Sequence, residues 1–432
     1  MKYSIYNTTL QLPQERFLLY NAYTDTYVIL KKKLLEAIEN YSNDQIRQLY
    51  PILYDQLITS GCLIDNNVNE VALLSDRIHE IDNVNEAYFL TVNPTINCNF
   101  KCWYCYEEHL PKSKMDEETL YKVKKHITNV LKKQKLKQFH LGFFGGEPLL
   151  YYREIVYPLL VHLNKECDNL QVDPLIGFTS NGYLITDSMI AELKENHVSS
   201  FQITLDGNRK QHNQVRYPYK GGNSYDRIIE NIKKLLDVGI HVVLRINYTK
   251  DNLLGTKQIA QDLDDIPLTG KRLLSVDFQR VWQDSVTSNM IPEEWLEECI
   301  GKLESLGMMV SYRVMDQVWN SCYADKANQA LINYNGDVYK CTARDFKPEN
   351  RLGILSNSGD ILWDTKKIEY RCNIRFRKEV CHHCRIAPLC GGTCSQRALE
   401  SGSDPDCLRG LSENGKDQIV LDRFYNTVVR VG

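Results

Sequence analysis

Between positions 88 and about 282, short apolar runs alternate with segments whose apolar residues recur at helical spacing. The apolar or alternating runs predict strands at 88–93, 138–144, 174–180, 199–205, 240–247 and 274–281. The segments between them predict helices at 116–135, 152–166, 187–196, 224–238 and 254–264. Six strands separated by helices indicate an α/β fold with parallel pairing and right-handed crossovers. Functional residues of such folds gather where the strands end.

The first 80 residues follow a different pattern. Short strand-like runs at 3–6, 17–20 and 26–30 precede two segments with helical spacing, 31–38 and 44–60. This order predicts a small α+β domain. Residues 65–87 are rich in Asn, Asp and Glu, and we expect them to form a linker.

Length and composition narrow the class of protein. A chain of 432 residues predicts two or three domains. A formal net charge of −3 without a long basic run indicates neither nucleic acid nor an anionic membrane as a partner. With no apolar run of membrane-spanning length and no signal-peptide core, we expect a cytoplasmic protein. In that compartment fourteen cysteines, nine of them from position 299 onward, indicate metal ligands rather than disulfides.

Three of these cysteines follow the first predicted strand directly. Cys98, Cys102 and Cys105 are spaced C-x3-C-x2-C, and residues 98–105 are called the cluster loop below. Thiolates are the preferred ligands of iron–sulfur clusters, and a [4Fe–4S] cluster normally takes four of them. Three ligands leave one iron open to bind a substrate or cofactor. The alternative is half of a zinc site, although zinc motifs usually consist of two matched C-x2-C pairs.

The cluster loop resembles the signature of radical S-adenosylmethionine (SAM) enzymes. The resemblance implies that the open iron chelates the amino and carboxylate groups of SAM. An electron from the cluster then cleaves SAM to methionine and a 5′-deoxyadenosyl radical. It also implies that Tyr104, the aromatic residue before the third cysteine, packs near the adenine. Finally, it favours a partial (β/α)6 barrel over an open doubly wound sheet.

The loops after the second and third predicted strands carry further residues that the resemblance assigns to SAM. Gly145 and Gly146 let a ligand approach the backbone, and the Glu147 carboxylate can accept a hydrogen bond from an ammonium group. The Gly-Gly-Glu-Pro motif at 145–148 resembles the one that contacts the SAM amino group in radical SAM enzymes. Without a cluster loop before it, the same motif would be an ordinary turn in most proteins. Ser180 and Asn181 end the third strand, in a loop that resembles the one facing the SAM ribose.

Later strands add polar positions with more than one interpretation. Asp206 ends the fourth strand, in a loop similar to a substrate-facing loop of the family. Arg245, on the fifth strand, points into the barrel if the alternation holds. A buried arginine requires an anion, either the SAM carboxylate or a structural aspartate. Residues 212–216 resemble a His-Asp-x-x-Arg loop of related enzymes, with Asn213 in place of the acid.

A second cysteine array follows position 320. Its seven members are Cys322, Cys341, Cys381, Cys384, Cys390, Cys394 and Cys407. A zinc site would use only four of them. The array resembles the SPASM domain of radical SAM maturases, which binds two auxiliary [4Fe–4S] clusters. A hairpin turn at 335–337 places Cys341 at a strand end. We expect Cys62, Cys167 and Cys299 to be buried free thiols.

The resemblance implies a ligand set for each auxiliary cluster. Cys322, Cys341 and Cys394 would hold the first cluster, and Cys381, Cys384, Cys390 and Cys407 the second. The first cluster would then have three protein ligands, one fewer than a [4Fe–4S] cluster normally takes. Asp316, Cys299 and Cys372 are candidates, or the iron is open.

We therefore expect four regions. Residues 1–80 resemble the small winged-helix-like (RRE-like) domain that binds leader peptides, with an exposed strand edge near 27–30, although a plain structural extension is the alternative. Residues 81–300 would form the partial barrel and 301–410 the SPASM domain. Residues 411–432 would form a C-terminal helix that packs on the barrel.

The resemblance implies an enzyme that cross-links a ribosomally made precursor peptide through a carbon–sulfur or carbon–carbon bond. Flavodoxin or ferredoxin would supply the electron. An anaerobic sulfatase maturase is the alternative, but about 90 residues precede the cluster loop here, and Thr342 stands where those enzymes tend to carry aspartate. A non-catalytic iron–sulfur protein that binds peptide would predict a degraded cluster loop, which is intact. The general base is left open among Glu107, Glu108, His109 and Asp206.

Overall fold

The structure is a computed structural model that describes residues 1–284, 291–310, 321–402, 405–425 and 427. The chain forms two compact units, and each is built from separate stretches. Unit 1 comprises residues 1–84, 313–327 and 365–432, and unit 2 comprises residues 85–312 and 328–364. The four regions expected from the sequence stay predictions, because this division groups stretches that are distant along the chain.

Unit 1 begins with a small sheet followed by helices. Its strands are β1 (Lys2–Tyr3), β2 (Asn7–Leu12), β3 (Arg16–Asn21), β4 (Thr26–Lys31) and β5 (Leu63–Ile64). Its helices are α1 (Lys32–Asn40), α2 (Asn43–Leu49), α3 (Pro51–Thr59) and α4 (Glu70–Asp82). Strands β2, β3 and β4 form an antiparallel sheet in that order, so β4 is an edge strand at the position where the sequence predicted one.

The linker expected at 65–87 is wrong, because α4 occupies most of it. The Asn69 side chain accepts a hydrogen bond from the Ala72 N–H at 3.2 Å and caps the helix. Leu74 and Ile78, four residues apart, are buried in the core of unit 1. Their burial, together with the packing of Val71 and Ile81 against the same core, stabilises the helix.

Unit 2 is organised around a sheet of eleven strands. Together with a separate pair, β7 and β11, its strands are β6 (Ala87–Val92), β7 (Phe100–Cys102), β8 (Gln138–Phe143), β9 (Asp173–Ser180), β10 (Val198–Leu205), β11 (Arg216–Pro218), β12 (His241–Tyr248), β13 (Leu274–Arg280), β14 (Met309–Val310), β15 (Gln329–Ile332), β16 (Asp337–Tyr339), β17 (Gly353–Leu355) and β18 (Ile361–Trp363). Its helices are α5 (Glu117–Lys133), α6 (Tyr157–Leu170), α7 (Asp187–Glu195), α8 (Arg209–Val215), α9 (Tyr225–Asp237), α10 (Lys257–Asp262), α11 (Leu268–Lys271) and α12 (Glu293–Ser305).

The six predicted strands lie side by side in chain order and are all parallel. The order is β6-β8-β9-β10-β12-β13, without the reversal that marks a doubly wound sheet. This confirms the α/β fold expected for a partial barrel. Strand β15 continues the parallel pairing beside β6, and β16, β17 and β18 extend the sheet antiparallel.

Stacked aromatic residues hold the middle of this sheet together. Phe143, Phe178 and Phe201 occupy adjacent positions on β8, β9 and β10, with both pairs of ring centroids 4.7 Å apart. All three are buried, and each stabilises the fold by roughly 1.5–3 kcal/mol relative to an exposed ring. The strand ends just beyond them are therefore fixed in position.

The remaining helices of unit 1 are α13 (Thr365–Cys372), α14 (Glu379–His382), α15 (Ala387–Cys390), α16 (Ser395–Glu400) and α17 (Glu413–Phe424). The C-terminal helix was expected to pack on the barrel, but Val420 and Phe424 of α17 join the core of unit 1 instead. Arg423 fixes this position through an ion pair with Asp25, at the turn before β4. Within the described residues, no helix is both long and apolar enough to cross a membrane.

Candidate active site

A cavity opens in unit 2 where the parallel strands end. It brings together nine residues that the sequence assigned to the cluster or to SAM: Cys98, Cys102, Tyr104, Cys105, Gly145, Gly146, Ser180, Asn181 and Arg245. These come from the cluster loop and from the ends of β8, β9 and β12. We call it the central cavity. The strand ends thus converge on the cluster loop, as expected for a barrel site.

The cluster loop is held by a short strand pair. In it β7 pairs with β11, with Cys102 opposite Arg216, and Phe100 is buried beneath the loop. Burial raises the pKa of all three thiols, that of Cys105 to about 11. Iron binds the thiolate, so a cluster bound here would displace these protons.

Three thiols from one loop fit a [4Fe–4S] cluster with one open iron. In the parts of the chain that the structure describes, no three His, Cys, Asp or Glu side chains are placed to hold a single metal ion. All fourteen cysteines lie in those parts, and all are free thiols. Cys62, Cys167 and Cys299 are buried, as predicted.

The Glu147 carboxylate is buried beside the central cavity and is not among the residues that line it, and its contact with the SAM amino group stays a prediction. The side chain is 0% exposed, and Oε1 accepts hydrogen bonds from the Ser180 hydroxyl at 2.8 Å and the Leu149 N–H at 3.0 Å. Oε2 accepts from the Asn181 N–H at 2.8 Å. Burial raises its pKa, and these donors oppose the shift. The carboxylate therefore joins the ends of β8 and β9.

Gly145 and Gly146 do line the cavity, but both also have a packing role. Gly146 has φ +48°, and a Cβ there would lie 2.1 Å from the carbonyl oxygen of Asn97. The next N–H, of Glu147, donates to that same oxygen at 2.9 Å. The glycine thus lets the β8 loop contact the residue before Cys98.

Ser180 and Asn181 line the cavity while holding neighbouring loops. The Ser180 hydroxyl accepts from the Gly182 N–H at 3.0 Å. The Asn181 amide donates to Asn99 Oδ1 at 2.8 Å, inside the cluster loop. Asn99 had no sequence signal, because the contact depends on two loops that meet only in the fold. The contact of Ser180 and Asn181 with the SAM ribose stays a prediction.

A buried polar network fixes Tyr104. Its hydroxyl donates to Asp206 at 2.7 Å and accepts from Arg216 at 3.0 Å, and Arg216 also pairs with Asp206 at 3.0 Å. Burial raises the pKa of Asp206, and the guanidinium of Arg216 opposes that shift. Tyr104 lines the central cavity, and its contact with adenine stays a prediction.

Residues 212–216, at the end of α8 and the start of β11, support this network. His212 is buried and neutral, since burial lowers its pKa well below the ordinary value. Its Nδ1 accepts from the Asp206 N–H at 3.2 Å, and its Nε2 contacts the Ser224 hydroxyl at 3.0 Å. Asn213, in place of the family's acid, accepts from the N–H groups of Ser224 and Tyr225 at the start of α9.

Arg245 lies in the cavity wall, as strand alternation predicted. Its Nε donates to Asn247 Oδ1 at 2.9 Å. It lies beside Thr204 of β10 and Asp277 of β13 in the strand register. The interpretation as a partner of the SAM carboxylate stays a prediction.

The residues that follow the cluster loop reach two other parts of unit 2. The Tyr106 hydroxyl donates to the Thr342 carbonyl oxygen at 2.8 Å, one residue beyond Cys341. Glu107 Oε2 accepts from the Gly146 N–H at 2.7 Å, and burial raises the pKa of Glu107 to about 7. His109 Nε2 lies 3.5 Å from Cys105 Sγ. The role of Tyr106 had no sequence signal.

In unit 1, four cysteines of the array lie near one another. Burial, followed by the thiols of Cys390, Cys384 and Cys407, raises the pKa of Cys381 to about 12. Burial also acts to raise the pKa of Cys407. The pKa of Cys407 is nevertheless lowered overall, because the N–H groups of residues 409–411 donate hydrogen bonds to its sulfur and Lys416 is close. These are the four thiols assigned to the second auxiliary cluster.

Three cysteines that are distant along the chain were assigned to the first auxiliary cluster. Cys322 and Cys394 belong to unit 1, and Cys394 caps α16 through the Arg397 N–H. Cys341 follows the β15–β16 hairpin of unit 2, as predicted. Of the candidate fourth ligands, Cys299 is buried and Cys372 is exposed at the end of α13, whereas Asp316 lies outside the described residues. This ligand set stays a prediction.

Comparisons with known proteins agree with this geometry. Residues 92–263 match the model of the Radical SAM superfamily. The radical SAM cyclopropyl synthase TigE of Paramaledivibacter caminithermalis is 24% identical over 243 residues, which are 51% of this chain and 49% of that protein. The chain thus spans about half the length of that relative. The cysteine-type anaerobic sulfatase-maturating enzyme of Clostridium novyi is 24% identical over 355 residues, which are 74% of this chain and 89% of that enzyme.

Solved structures show the same fold. Crystal structures of Streptococcus suis SuiB, bound to S-adenosylmethionine or to the precursor peptide SuiA, have a TM-score of 0.51 at 15% identity. The match covers 95% of this chain and 100% of SuiB.

Proposed function

Because residues 92–263 match the model of the Radical SAM superfamily, we propose that the chain is a radical SAM maturase that installs a carbon–sulfur or carbon–carbon cross-link in a ribosomally made precursor peptide. One observation carries the radical SAM part of this proposal. The thiols of Cys98, Cys102 and Cys105 line a single cavity at the ends of six parallel strands.

In this proposal each part of the cavity has a task. Cys98, Cys102 and Cys105 hold the cluster, which together with SAM supplies the radical that takes a hydrogen atom from the peptide. The Tyr104–Asp206–Arg216 network keeps the cluster loop in one position. The carboxylate of Glu147 fixes the ends of β8 and β9 around the ligand. Such preorganisation orients the reacting groups and excludes water.

The second cysteine array would hold two auxiliary clusters. The proximity of Cys381, Cys384, Cys390 and Cys407 supports one of them. These clusters would accept the electron released when the new bond closes. Flavodoxin or ferredoxin would reduce the cluster at the SAM site. Fourteen free thiols suit the reducing cytoplasm, where we place the protein.

We propose that β4 binds the leader of the precursor. An edge strand offers unpaired backbone groups to an extended peptide. Ile29 on this strand is 48% exposed, so it is available to contact a peptide side chain. The SuiB structure with its precursor peptide supports a peptide substrate. A purely structural role for residues 1–80 is the alternative.

Sulfatase maturation is the second candidate, favoured by the Clostridium novyi relative that matches 74% of this chain. Thr342 argues against it, because a threonine cannot replace an aspartate as a base. Its carbonyl oxygen is also engaged by Tyr106.

The test is the accurate mass of the short peptide encoded beside this gene, after co-expression without oxygen. Loss of two hydrogen atoms per modified site supports cross-linking, and thiol alkylation separates carbon–sulfur from carbon–carbon closure. Loss of sulfur with gain of oxygen at a cysteine would instead identify sulfatase-type chemistry. An unchanged peptide, with 5′-deoxyadenosine still formed, would reject this substrate.

A further inference from the structure

The second cysteine array and the sheet of strands β2, β3 and β4 share one hydrophobic core in unit 1. Cys381 and Cys384 pack against the buried residues of this core. Those residues come from the sheet, from the segment between the cysteines of the array and from α17, and they include Leu18, Tyr20, Ile386, Leu389, Val420 and Phe424. The packing of the sheet therefore depends on where the array lies, although the two are near opposite ends of the chain.

Arg385, directly after Cys384, connects the array to the sheet and to α17. Its Nη1 donates to the Thr8 hydroxyl oxygen on β2 at 3.1 Å. Its Nε donates to Glu413 Oε2 at 3.1 Å, and its Nη2 lies 2.8 Å from Asp417 Oδ1. The guanidinium group therefore fixes the start of α17 beside the array and against β2.

The other end of α17 packs on β4, the edge strand assigned to the leader. Arg423 Nε donates to Asp25 Oδ1 at 2.7 Å, at the turn before β4. The ring of Phe424 contacts the ring of Tyr27 on β4, with centroids 5.4 Å apart. Helix α17 thus extends from the cysteine array to the edge strand and contacts both.

The segment that carries the array has only short helices to hold it in place. Helices α14 and α15 have four residues each, and α16 has six. Helices of this length are not stable by themselves. A metal centre bound by four thiolates would cross-link residues 381–407, and in such segments the free energy of metal binding is folding free energy. The segment, and α17 with it, should therefore be ordered by metal.

We propose that metal bound by Cys381, Cys384, Cys390 and Cys407 stabilises the sheet of β2, β3 and β4 through α17, so that only metal-loaded protein offers β4 to an extended peptide. The inference rests on the proposed function, in which this array holds an auxiliary cluster and β4 binds the leader. It goes beyond that function, because it gives the array a task in recognising the precursor, separate from any transfer of electrons.

The test is hydrogen–deuterium exchange, followed by mass spectrometry without oxygen on the full-length protein reconstituted with iron and sulfide. The wild type is compared with Cys381→Ala and with the matched control Cys98→Ala, which removes a thiol of the cluster loop in unit 2. In Cys381→Ala the backbone amides of β3 and β4 should exchange at least roughly tenfold faster, because the sheet opens more often. The amides of β8, β9 and β10 should be unchanged, and Cys98→Ala should leave β3 and β4 as in the wild type.

A second variant separates the connection from the metal site. Arg423→Gln keeps every thiol of the array but removes the ion pair between α17 and the turn before β4. It should retain wild-type iron content and still speed exchange in β4. Unchanged exchange in β4 of this iron-loaded variant would overturn the role of α17.

Recognition is measured with a fluorescein-labelled copy of the N-terminal half of the short peptide encoded beside this gene. Cys381→Ala should bind it at least roughly tenfold more weakly, since a smaller fraction of the protein presents the edge. Cys98→Ala should bind it like the wild type.

Two results of the exchange experiment would overturn the proposal. One is equal exchange in β3 and β4 of Cys381→Ala and the wild type. The other is faster exchange in β8, β9 and β10 as well, which would mean general unfolding of the variant. Wild-type protein that holds iron but binds no peptide or forms no 5′-deoxyadenosine would refute the proposed function instead, and the exchange comparison would still decide whether metal orders the sheet.

Discussion

Glu147 offers the sharpest test of how this site is built. Its carboxylate is buried and accepts three protein hydrogen bonds, two at Oε1 and one at Oε2. In Glu147→Gln the amide oxygen can keep the Ser180 and Leu149 donors, while the NH2 group faces the Asn181 N–H. One buried donor is left without an acceptor, which costs about 1–3 kcal/mol. Glu147→Ala removes both acceptor oxygens, leaves all three buried donors without a partner and should cost roughly 3–9 kcal/mol.

These losses are large against the stability of a typical domain, about 5–15 kcal/mol. The assay is urea unfolding followed by tryptophan fluorescence, at one protein concentration, for the wild type and both variants. Glu108→Gln is the control, because an exposed substitution should change stability by less than about 0.5 kcal/mol. If Glu147→Ala unfolds like the wild type but loses SAM binding, the carboxylate faces the ligand after all. The structural role assigned to it would then be wrong.

Three other changes test separate parts of the structure. Asp206→Asn breaks the buried ion pair with Arg216, and should lower the free energy of unfolding by about 3–5 kcal/mol in the same urea assay; an unchanged midpoint would contradict it. Because burial lowers the pKa of His212, the unfolded chain takes up a proton near pH 6.5 that the folded protein excludes. Stability should therefore fall as pH drops below about 6.5, and His212→Gln should flatten that decline between pH 6.5 and 5; an identical slope would count against it. Cys381→Ala should lower iron content by about four atoms per chain while SAM cleavage persists, whereas full iron content would remove Cys381 from the ligand set.

The sequence predicted the sheet well because its strands are buried. Each of the six predicted strands lies within two residues of an observed one, since continuous or alternating apolar runs have few other ways to be buried. Prediction from the sequence failed where polar residues obscure the apolar pattern of a short element. Strand β2 has the sequence Asn-Thr-Thr-Leu-Gln-Leu and was not predicted. Its extended conformation depends on backbone pairing with β3, which a local sequence pattern does not show. Helix α4 was taken for a linker for a similar reason.

The site was predicted as a set of residues but not as a set of contacts. Spacing alone placed Cys98, Cys102 and Cys105 together, because they belong to one loop. The direction of a side chain at a strand end depends on which donors surround it, and these come from other loops. Glu147 and Glu107 therefore differ in a way that no local pattern shows. Both oxygens of Glu147 accept protein hydrogen bonds, whereas Glu107 accepts one at Oε2 and belongs to a residue that lines the central cavity.

In the proposed function, the cluster loop holds the iron–sulfur centre that cleaves SAM. The measurement is 5′-deoxyadenosine formed from SAM by anaerobically reconstituted and reduced protein. It compares the wild type, a triple variant with alanine at Cys98, Cys102 and Cys105, and Cys372→Ala, which changes an exposed cysteine outside the loop. We expect deoxyadenosine from the wild type and from Cys372→Ala, and none from the triple variant. Deoxyadenosine from the triple variant at the wild-type rate would contradict this assignment of the cluster loop.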